Sequence, residues 1–303
     1  FFSTHNPQNP IPLRLVGSEM CIRDINQCMN GAAGSQMVEV GELAARQLKD
    51  YDSHQPGMLF AEGCVLDVSQ GYELQNAVAK LRFQRGERLI GYKVGCTSSA
   101  IQEQLKITHR VRGFLFDTEH YESGVALSRQ SFDNLAIEGE LAIELSREPR
   151  EEDFTVHSLP ACIARVFPVI ELHNHVMRGQ QASAGELIAN NAIHAGFVSG
   201  GGGLPSNCFS ETMFDEARLV IFRDNQLLDQ CEGRLLLETI RSSLKWLWEE
   251  LFRRGDRLHA GQIVLTGSVP NLFPVVDECS IRVESLPFGE VTAEVKGRTH
   301  QKR

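Results

Sequence analysis

Three glutamates, Glu138, Glu140 and Glu171, are the side chains in this 303-residue chain best placed to do chemistry together. The first two lie in Leu135-Ala-Ile-Glu-Gly-Glu-Leu-Ala-Ile-Glu-Leu145, which alternates apolar and polar residues at period two, the pattern of a half-buried strand. Two residues along a strand span roughly 6.5–7 Å, so both carboxylates share a face and can lean toward one cation. On its own a Glu-x-Glu pair also fits a solvated outer face. The third glutamate shifts the balance, because Glu171 interrupts the apolar run Arg165-Val-Phe-Pro-Val-Ile-Glu-Leu172, where an unpaired buried charge is costly.

Lys93 is the matching cation. It sits in Leu89-Ile-Gly-Tyr-Lys-Val-Gly95, between Tyr92 and Val94, on apolar ground where an ammonium must find an anion or reach water. Two readings stand: a surface lysine that snorkels, or a cation facing an anionic substrate or a proton donor with a lowered pKa. Glu171, His173 and His175 alternate as well and imitate a zinc-type set of one carboxylate and two imidazoles. Asn174 and the end of the apolar run predict that the strand finishes there, which leaves both histidines in a loop. Gln262-Ile-Val-Leu-Thr-Gly-Ser268 reads as a strand ending in a small-residue turn whose N–H groups suit a carboxylate.

The elements that must position these groups are short. Glu39 to Tyr51 reads as a helix, and a second follows Ser69, with Ser69 or Gln70 at its cap and Gly86 as its stop. Cys96-Thr-Ser-Ser99 opens a helix from Ala100 to Leu105. Gly185 to Asn191 reads as helix and turn, Ala195 to Ser199 as a strand, and the four glycines 200–203 as a connection without the context of a phosphate loop. A hairpin is predicted over Arg218–Phe222 and Leu227–Gln230 around Asp224-Asn225, and another over Ser280–Glu284 and Glu290–Val295. Ser242 to Arg254 forms an amphipathic helix with Leu244, Leu247, Trp248 and Leu251 on its apolar stripe and Trp246 off it, facing solvent or a partner. Strands outnumber helices and do not alternate with them regularly, which argues against a doubly wound parallel sheet and for an α+β fold with a mixed, rolled sheet.

Composition narrows the function classes. The formal net charge is −9 with Lys and Arg scattered, which argues against a nucleic-acid or anionic-membrane surface. No apolar run reaches the ~18–20 residues of a membrane span and no secretion signal is apparent, so a soluble protein of the cytoplasm is expected. Eight cysteines without a Cys-x-x-Cys pair are expected to be mostly buried, reduced thiols. Residues 1–36 are expected to be an unstructured tail, 37–88 a small helical portion and 89–303 a β-rich catalytic domain. Met20-Cys-Ile-Arg-Asp24 matches the translation of ATG-TGT-ATA-AGA-GAC, a string within a transposase end sequence used for sequencing libraries, so part of the tail is expected to be an assembly artefact.

Together, Gly91-Tyr-Lys-Val-Gly-Cys-Thr-Ser98, Ile137-Glu-Gly-Glu-Leu-Ala-Ile143, Val169-Ile-Glu171, Ala189-Asn-Asn-Ala192 with Gly196-Phe-Val198, and Leu265-Thr-Gly-Ser268 resemble, in order, the 2-oxopent-4-enoate hydratase and 4-oxalocrotonate decarboxylase family of the fumarylacetoacetate hydrolase superfamily. The resemblance covers roughly residues 38 to 298. It implies a rolled sheet of the fumarylacetoacetase C-terminal type, assembly into homo-oligomers, and association with a sibling hydratase or decarboxylase. It further implies that Glu138, Glu140 and Glu171 bind Mg2+ or Mn2+, that Lys93 lies at the active site, and that Gly267 and Ser268 orient the substrate, a small 2-oxo or 2-hydroxydienoic acid. The implied reaction is addition of water to a 2-hydroxy-2,4-dienoate in aromatic meta-cleavage catabolism, with decarboxylation of an oxalocrotonate-type acid as the alternative. The chain departs from the family at Asn190-Asn191, where relatives carry Asp-Asn, and at Ile193-His194, where a serine is usual. Asparagine cannot exchange a proton at neutral pH, so the duty of that aspartate is lost or moved to His194. A catalytically silent relative that binds metal and an oxo acid is the reading of another class.

Overall fold

The computed structural model describes residues 33–155, 158–210 and 212–297, with side chains from residue 39 onward. In chain order the elements are α1 (Ala33–Asp52), α2 (Met58–Ala61), α3 (Val68–Gln84), β1 (Leu89–Gly95), α4 (Ser99–Leu105), β2 (Val111–Phe116), β3 (His120–Glu122), β4 (Val125–Ser128), β5 (Leu135–Leu145), β6 (Ile163–Asn174), α5 (Ala184–Ala189), β7 (His194–Ser199), β8 (Leu204–Pro205), β9 (Arg218–Arg223), β10 (Gln226–Glu232), α6 (Arg234–Arg253), β11 (Ile263–Leu265), β12 (Phe273–Pro274), β13 (Cys279–Leu286) and β14 (Gly289–Lys296). Helix α1 starts four residues inside the expected tail, and the translated-artefact reading of Met20–Asp24 lies outside the described residues. No described helix is long and apolar enough to cross a membrane.

The strands form two mixed sheets. One runs β2-β1-β11-β5-β6-β7-β3, with β12 added to β5 and β8 to β6; the other runs β10-β9-β13-β14-β4. Parallel pairs (β1 with β11, β3 with β7, β14 with β4) sit among antiparallel ones. This is the α+β, rolled mixed sheet expected from the sequence.

Period-two alternation on β5 sends Ile137, Leu141 and Ile143 to one face, where Ile170 and Leu172 of β6 join them against Ile221, Ile281, Val283 and Val291 of the second sheet. Gly139 lies on this same face. A Cβ there would stand 2.7 Å from Ile221 Cγ1, so the missing side chain lets the second sheet approach β5 directly beneath the two glutamates. Helix α6 closes the core with Leu236, Ile240, Leu244, Leu247 and Leu251. It begins eight residues before the expected Ser242, and Trp246 is half-buried against the core rather than free in solvent.

The N-terminal helices pack on α5 through Ala44, Leu59, Phe60, Leu66, Leu74 and Ala189. Asp67, not Ser69 or Gln70, caps α3: its side chain accepts the Gln70 N–H and the Gln70 side chain accepts the Asp67 N–H, closing a capping box. Of the described cysteines, Cys162 and Cys279 are buried, Cys64, Cys96 and Cys231 half-buried and Cys208 exposed, all as free thiols. Only two of these six are buried, so the expectation of mostly buried thiols is not met among the described residues.

Candidate metal and active site

The second face of β5 carries the site. Antiparallel register places Glu138 opposite Glu171 and Ala136 opposite His173, so Glu138, Glu140, Glu171 and His173 all project from one side of the β5–β6 pair. Strand β6 ends at Asn174 but keeps His173 within it, which corrects the expectation that this histidine lies in a loop. His173 is buried inside the carboxylate group, and donor atoms of Glu138, Glu171 and His173 lie within 4.8 Å of one another. His175 stays outside this group, so the zinc-type set of Glu171, His173 and His175 is not assembled.

Lys93 reaches the same place from another strand. Parallel pairing of β1 with β11 aligns Lys93 with Leu265, which faces Ala142 of β5, one step along the glutamate face. The approach depends on Gly91, where a Cβ would fall 1.8 Å from the Ile263 carbonyl oxygen. Gly113 leaves room for the lysine stem, since a Cβ there would stand 3.0 Å from Lys93 Cγ. The Lys93 side chain is 5 % exposed and its Nζ lies 3.3 Å from Glu171 Oε1, which excludes the snorkelling reading. Burial works against the ammonium, but Glu171, Glu138 and Glu140 outweigh it and hold the lysine pKa above its ordinary value, opposite to the lowering considered from sequence.

Glu171 is the hub. Its Oε1 also receives His194 Nδ1 at 2.7 Å, and its Oε2 lies 3.7 Å from His173 Nε2, while Glu138 Oε2 stands 3.3 Å from that same nitrogen. Burial pushes the Glu171 carboxyl up, but Lys93, His173 and His194 overcome this and keep it well below the usual carboxylate range. Glu140 is the opposite case: burial first, then Glu171 and Glu138, push its carboxyl well above that range. Its Oε2 accepts the Gly267 N–H, and its buried Oε1 has no hydrogen-bond partner among the described residues.

These features fit a divalent cation. Three carboxylates, Glu140 and Glu171 buried and Glu138 half-buried, face one ammonium, an excess of negative charge that one dication cancels, and the orphaned Glu140 Oε1 is an acceptor awaiting a positive centre. Thr266, just after β11, ties this stretch to β5 beside Glu140, its Oγ1 donating to the Leu141 carbonyl at 2.7 Å. Gly267 has a positive φ of 92° and a Cβ would fall 2.5 Å from Thr97 Cγ2, so the turn that aims its N–H at Glu140 requires glycine. Ser268 Oγ donates within reach of two carbonyls, Gly139 at 3.1 Å and Pro270 at 2.9 Å, and so ties this turn to β5.

The remaining candidates separate. His194 is brought to the carboxylates; Asn190 is not. The Asn190 amide oxygen accepts from Gln47 of α1, its Nδ2 is buried without a partner among the described residues, and it borders a small cleft together with Tyr51, Arg82 and Phe114. Its neighbour Asn191 clamps Phe114 of β2, accepting the N–H at 2.7 Å and donating to the carbonyl at 2.9 Å. Sequence reasoning weighed His173 only within a zinc-type set and then left it in a loop, although the alternation Glu171-Leu-His173 carries its signal; Gln47 is the participant it missed, and nothing local marks it.

No family model matches the chain. Among curated proteins it is similar to 2-keto-4-pentenoate hydratase of Paraburkholderia phymatum, 28% identical over 231 residues that cover 76% of this chain and 87% of that protein. It is also similar to 4-oxalocrotonate decarboxylase of Pseudomonas putida, 22% identical over 259 residues, 86% of this chain and 94% of that one. Among solved structures, 4-oxalocrotonate decarboxylase from Pseudomonas putida G7 complexed with magnesium and adipate superimposes with a TM-score of 0.75 at 21% identity, covering 86% of this chain and 98% of that one. Fumarylpyruvate hydrolase from Pseudomonas aeruginosa in complex with Mn2+ and pyruvate gives 0.54 at 14% identity, covering 68% and 89%. Both structures share the fold.

Proposed function

We propose that the chain belongs to the 2-keto-4-pentenoate hydratase and 4-oxalocrotonate decarboxylase family of the fumarylacetoacetate hydrolase superfamily and, from that premise, that it is a hydro-lyase, dependent on Mg2+ or Mn2+, that adds water to a 2-hydroxy-2,4-dienoate to give a 4-hydroxy-2-oxo acid. The observation that carries this reading is the projection of Glu138, Glu140 and Glu171 from one sheet face, the last two buried, with the Lys93 ammonium beside them. A dication held by those carboxylates supplies a fixed positive charge against the oxygen on which negative charge develops as the dienol rearranges.

The chain's own residues do the rest. Lys93, anchored on Glu171, presents an ammonium that clamps the substrate carboxylate and delivers a proton to C5 of the dienol, regaining one from the enol hydroxyl as the 2-oxo group forms; water then adds its oxygen at C4 and a proton at C3. His194 fixes the orientation of Glu171 through Nδ1 and so acts as a positioning residue. The Gly267 N–H holds Glu140 in place, and Ser268 fixes the turn that carries it. Asn190, held among the N-terminal helices by Gln47, shapes the wall beyond the site rather than exchanging a proton. Assembly as a cytoplasmic homo-oligomer, with a sibling hydratase or decarboxylase as a further partner, belongs to the same reading and is checked by sedimentation and co-purification.

A second reading, decarboxylation, is favoured by the 86% of the chain aligned with the decarboxylase. Presenting 2-hydroxydienoates and oxalocrotonate-type acids with Mg2+ or Mn2+ decides between them. Water incorporation without carbon dioxide release supports the hydratase; carbon dioxide release supports the alternative; metal and ligand binding without turnover of any substrate identifies a silent relative.

A further inference from the structure

His173 is the buried group that the reaction above leaves without a task. It is 1 % exposed, and neither ring nitrogen has a hydrogen-bond partner among the described residues. An imidazole buried in that state loses its hydration without replacement, so an ordinary packing histidine would be expected to find a carbonyl or hydroxyl. The oxygens nearest its Nε2 are instead Glu138 Oε2 at 3.3 Å and Glu171 Oε2 at 3.7 Å, both from carboxylates assigned to the cation. The placement is built into the sheet. Antiparallel pairing sets His173 opposite Ala136, a small residue two positions before Glu138, so the ring meets no bulky cross-strand neighbour and can lie over the carboxylates.

Resting on the site reading above, we propose that His173 Nε2 is a further donor to the dication held by Glu138, Glu140 and Glu171, making this a mixed oxygen and nitrogen centre that selects Mn2+, Fe2+ or Co2+ over Mg2+. An all-carboxylate set suits hard ions such as Mg2+. A neutral imidazole adds a borderline donor that first-row transition ions accept and Mg2+ bonds weakly, and affinity for a nitrogen-bearing site rises along the series from Mn2+ to Cu2+. Geometry and burial work together here. A solvent-excluded imidazole without a competing hydrogen bond keeps its lone pair for the ion.

The test uses the full chain freed of metal and loaded with one equivalent of Mn2+. Pulsed electron paramagnetic resonance on protein carrying natural-abundance or 15N-labelled histidine is expected to show a directly bonded nitrogen that changes with the label. The signal is expected to vanish in His173→Leu, and competition dialysis of Mn2+ against Mg2+ is expected to show a selectivity ratio about tenfold lower in that variant, mostly through weaker Mn2+ binding. If the variant does not fold, the labelled wild-type spectrum still decides. Bound Mn2+ with no directly bonded histidine nitrogen, or an unchanged Mn2+ to Mg2+ ratio in a folded variant, overturns this inference and leaves the carboxylate site standing. Absence of any stoichiometric Mn2+ overturns the site itself.

Discussion

Replacing Lys93 by Met probes the charge balance of the site most sharply, because methionine matches the length of the stem and removes only the ammonium. At 3.3 Å from Glu171 Oε1, and with an effective dielectric of about 20, the Coulomb attraction is about 5 kcal/mol. Part of that returns when the carboxylates take up protons, so the metal-free variant is expected to lose about 3–5 kcal/mol of stability, the usual cost of breaking a buried pair from one side. A dication replaces the missing positive charge. The metal-loaded variant should therefore recover most of the loss and bind Mg2+ or Mn2+ more tightly than the wild type, while turnover falls by about 10²- to 10⁴-fold because the clamp and proton donor are gone. Urea denaturation with and without metal, calorimetric metal titration and loss of dienoate absorbance measure the three effects. A metal-free variant as stable as the wild type, with unchanged metal affinity and turnover, would refute the argument that Lys93 and the ion share one field of carboxylates.

Other perturbations separate the parts of the site. Glu140→Gln keeps an acceptor for the Gly267 N–H but removes the charge at the orphaned oxygen; the fold should persist by circular dichroism while metal affinity drops at least about tenfold by calorimetry. Gly91→Ala would drive a Cβ into the Ile263 carbonyl and separate β1 from β11, so soluble, cooperatively melting protein is not expected; a variant with a wild-type melt contradicts that packing. Away from the metal, Glu87 accepts from Arg82 and Thr118, and these contacts with Arg85 outweigh burial and hold its carboxyl below the ordinary 4.5. A lowered folded pKa means that this stabilisation is present above about pH 4.5 and is lost as pH falls through the folded value. Glu87→Gln is expected to cost about 1.5–3 kcal/mol at pH 7 and much less at pH 3; an equal cost at both in denaturant titrations contradicts the sign.

The strand that carries Glu138 and Glu140 was legible because period two is a local property: β5 runs over the same residues that the alternation marks, and β1 likewise spans the expected β-type segment Leu89–Gly95. The turn Asp224-Asn225 was equally legible, since both residues adopt the positive φ that a tight hairpin needs. Register was not local. Nothing within Val169–Glu171 states that Glu171 will face Glu138, and the end of the apolar run hid the fact that β6 continues past His173. A polar residue ends a strand in sequence terms, yet here it stays in the strand because the carboxylates opposite supply its environment. Helix α6 escaped for a related reason: Gly233 caps it with no side-chain hydrogen bond and Leu235 is exposed, so its first two turns carry neither a start signal nor a clean stripe. Asn190 shows the limit of motif transfer. Its type announced a departure in proton chemistry, whereas its direction, toward Gln47 of α1, depends on packing between segments 143 residues apart.

On the proposed function, Glu138, Glu140 and Glu171 hold one divalent ion at the place where a 2-oxo acid is activated. Anomalous diffraction at the manganese edge from crystals of the full chain grown with Mn2+ and an unreactive 2-oxo acid tests it most directly. The account requires one strong peak bounded by those three carboxylates, with the carboxylate of the bound acid reaching toward Lys93. Manganese bound elsewhere, or no peak between β5 and β6 at saturating Mn2+, would contradict it.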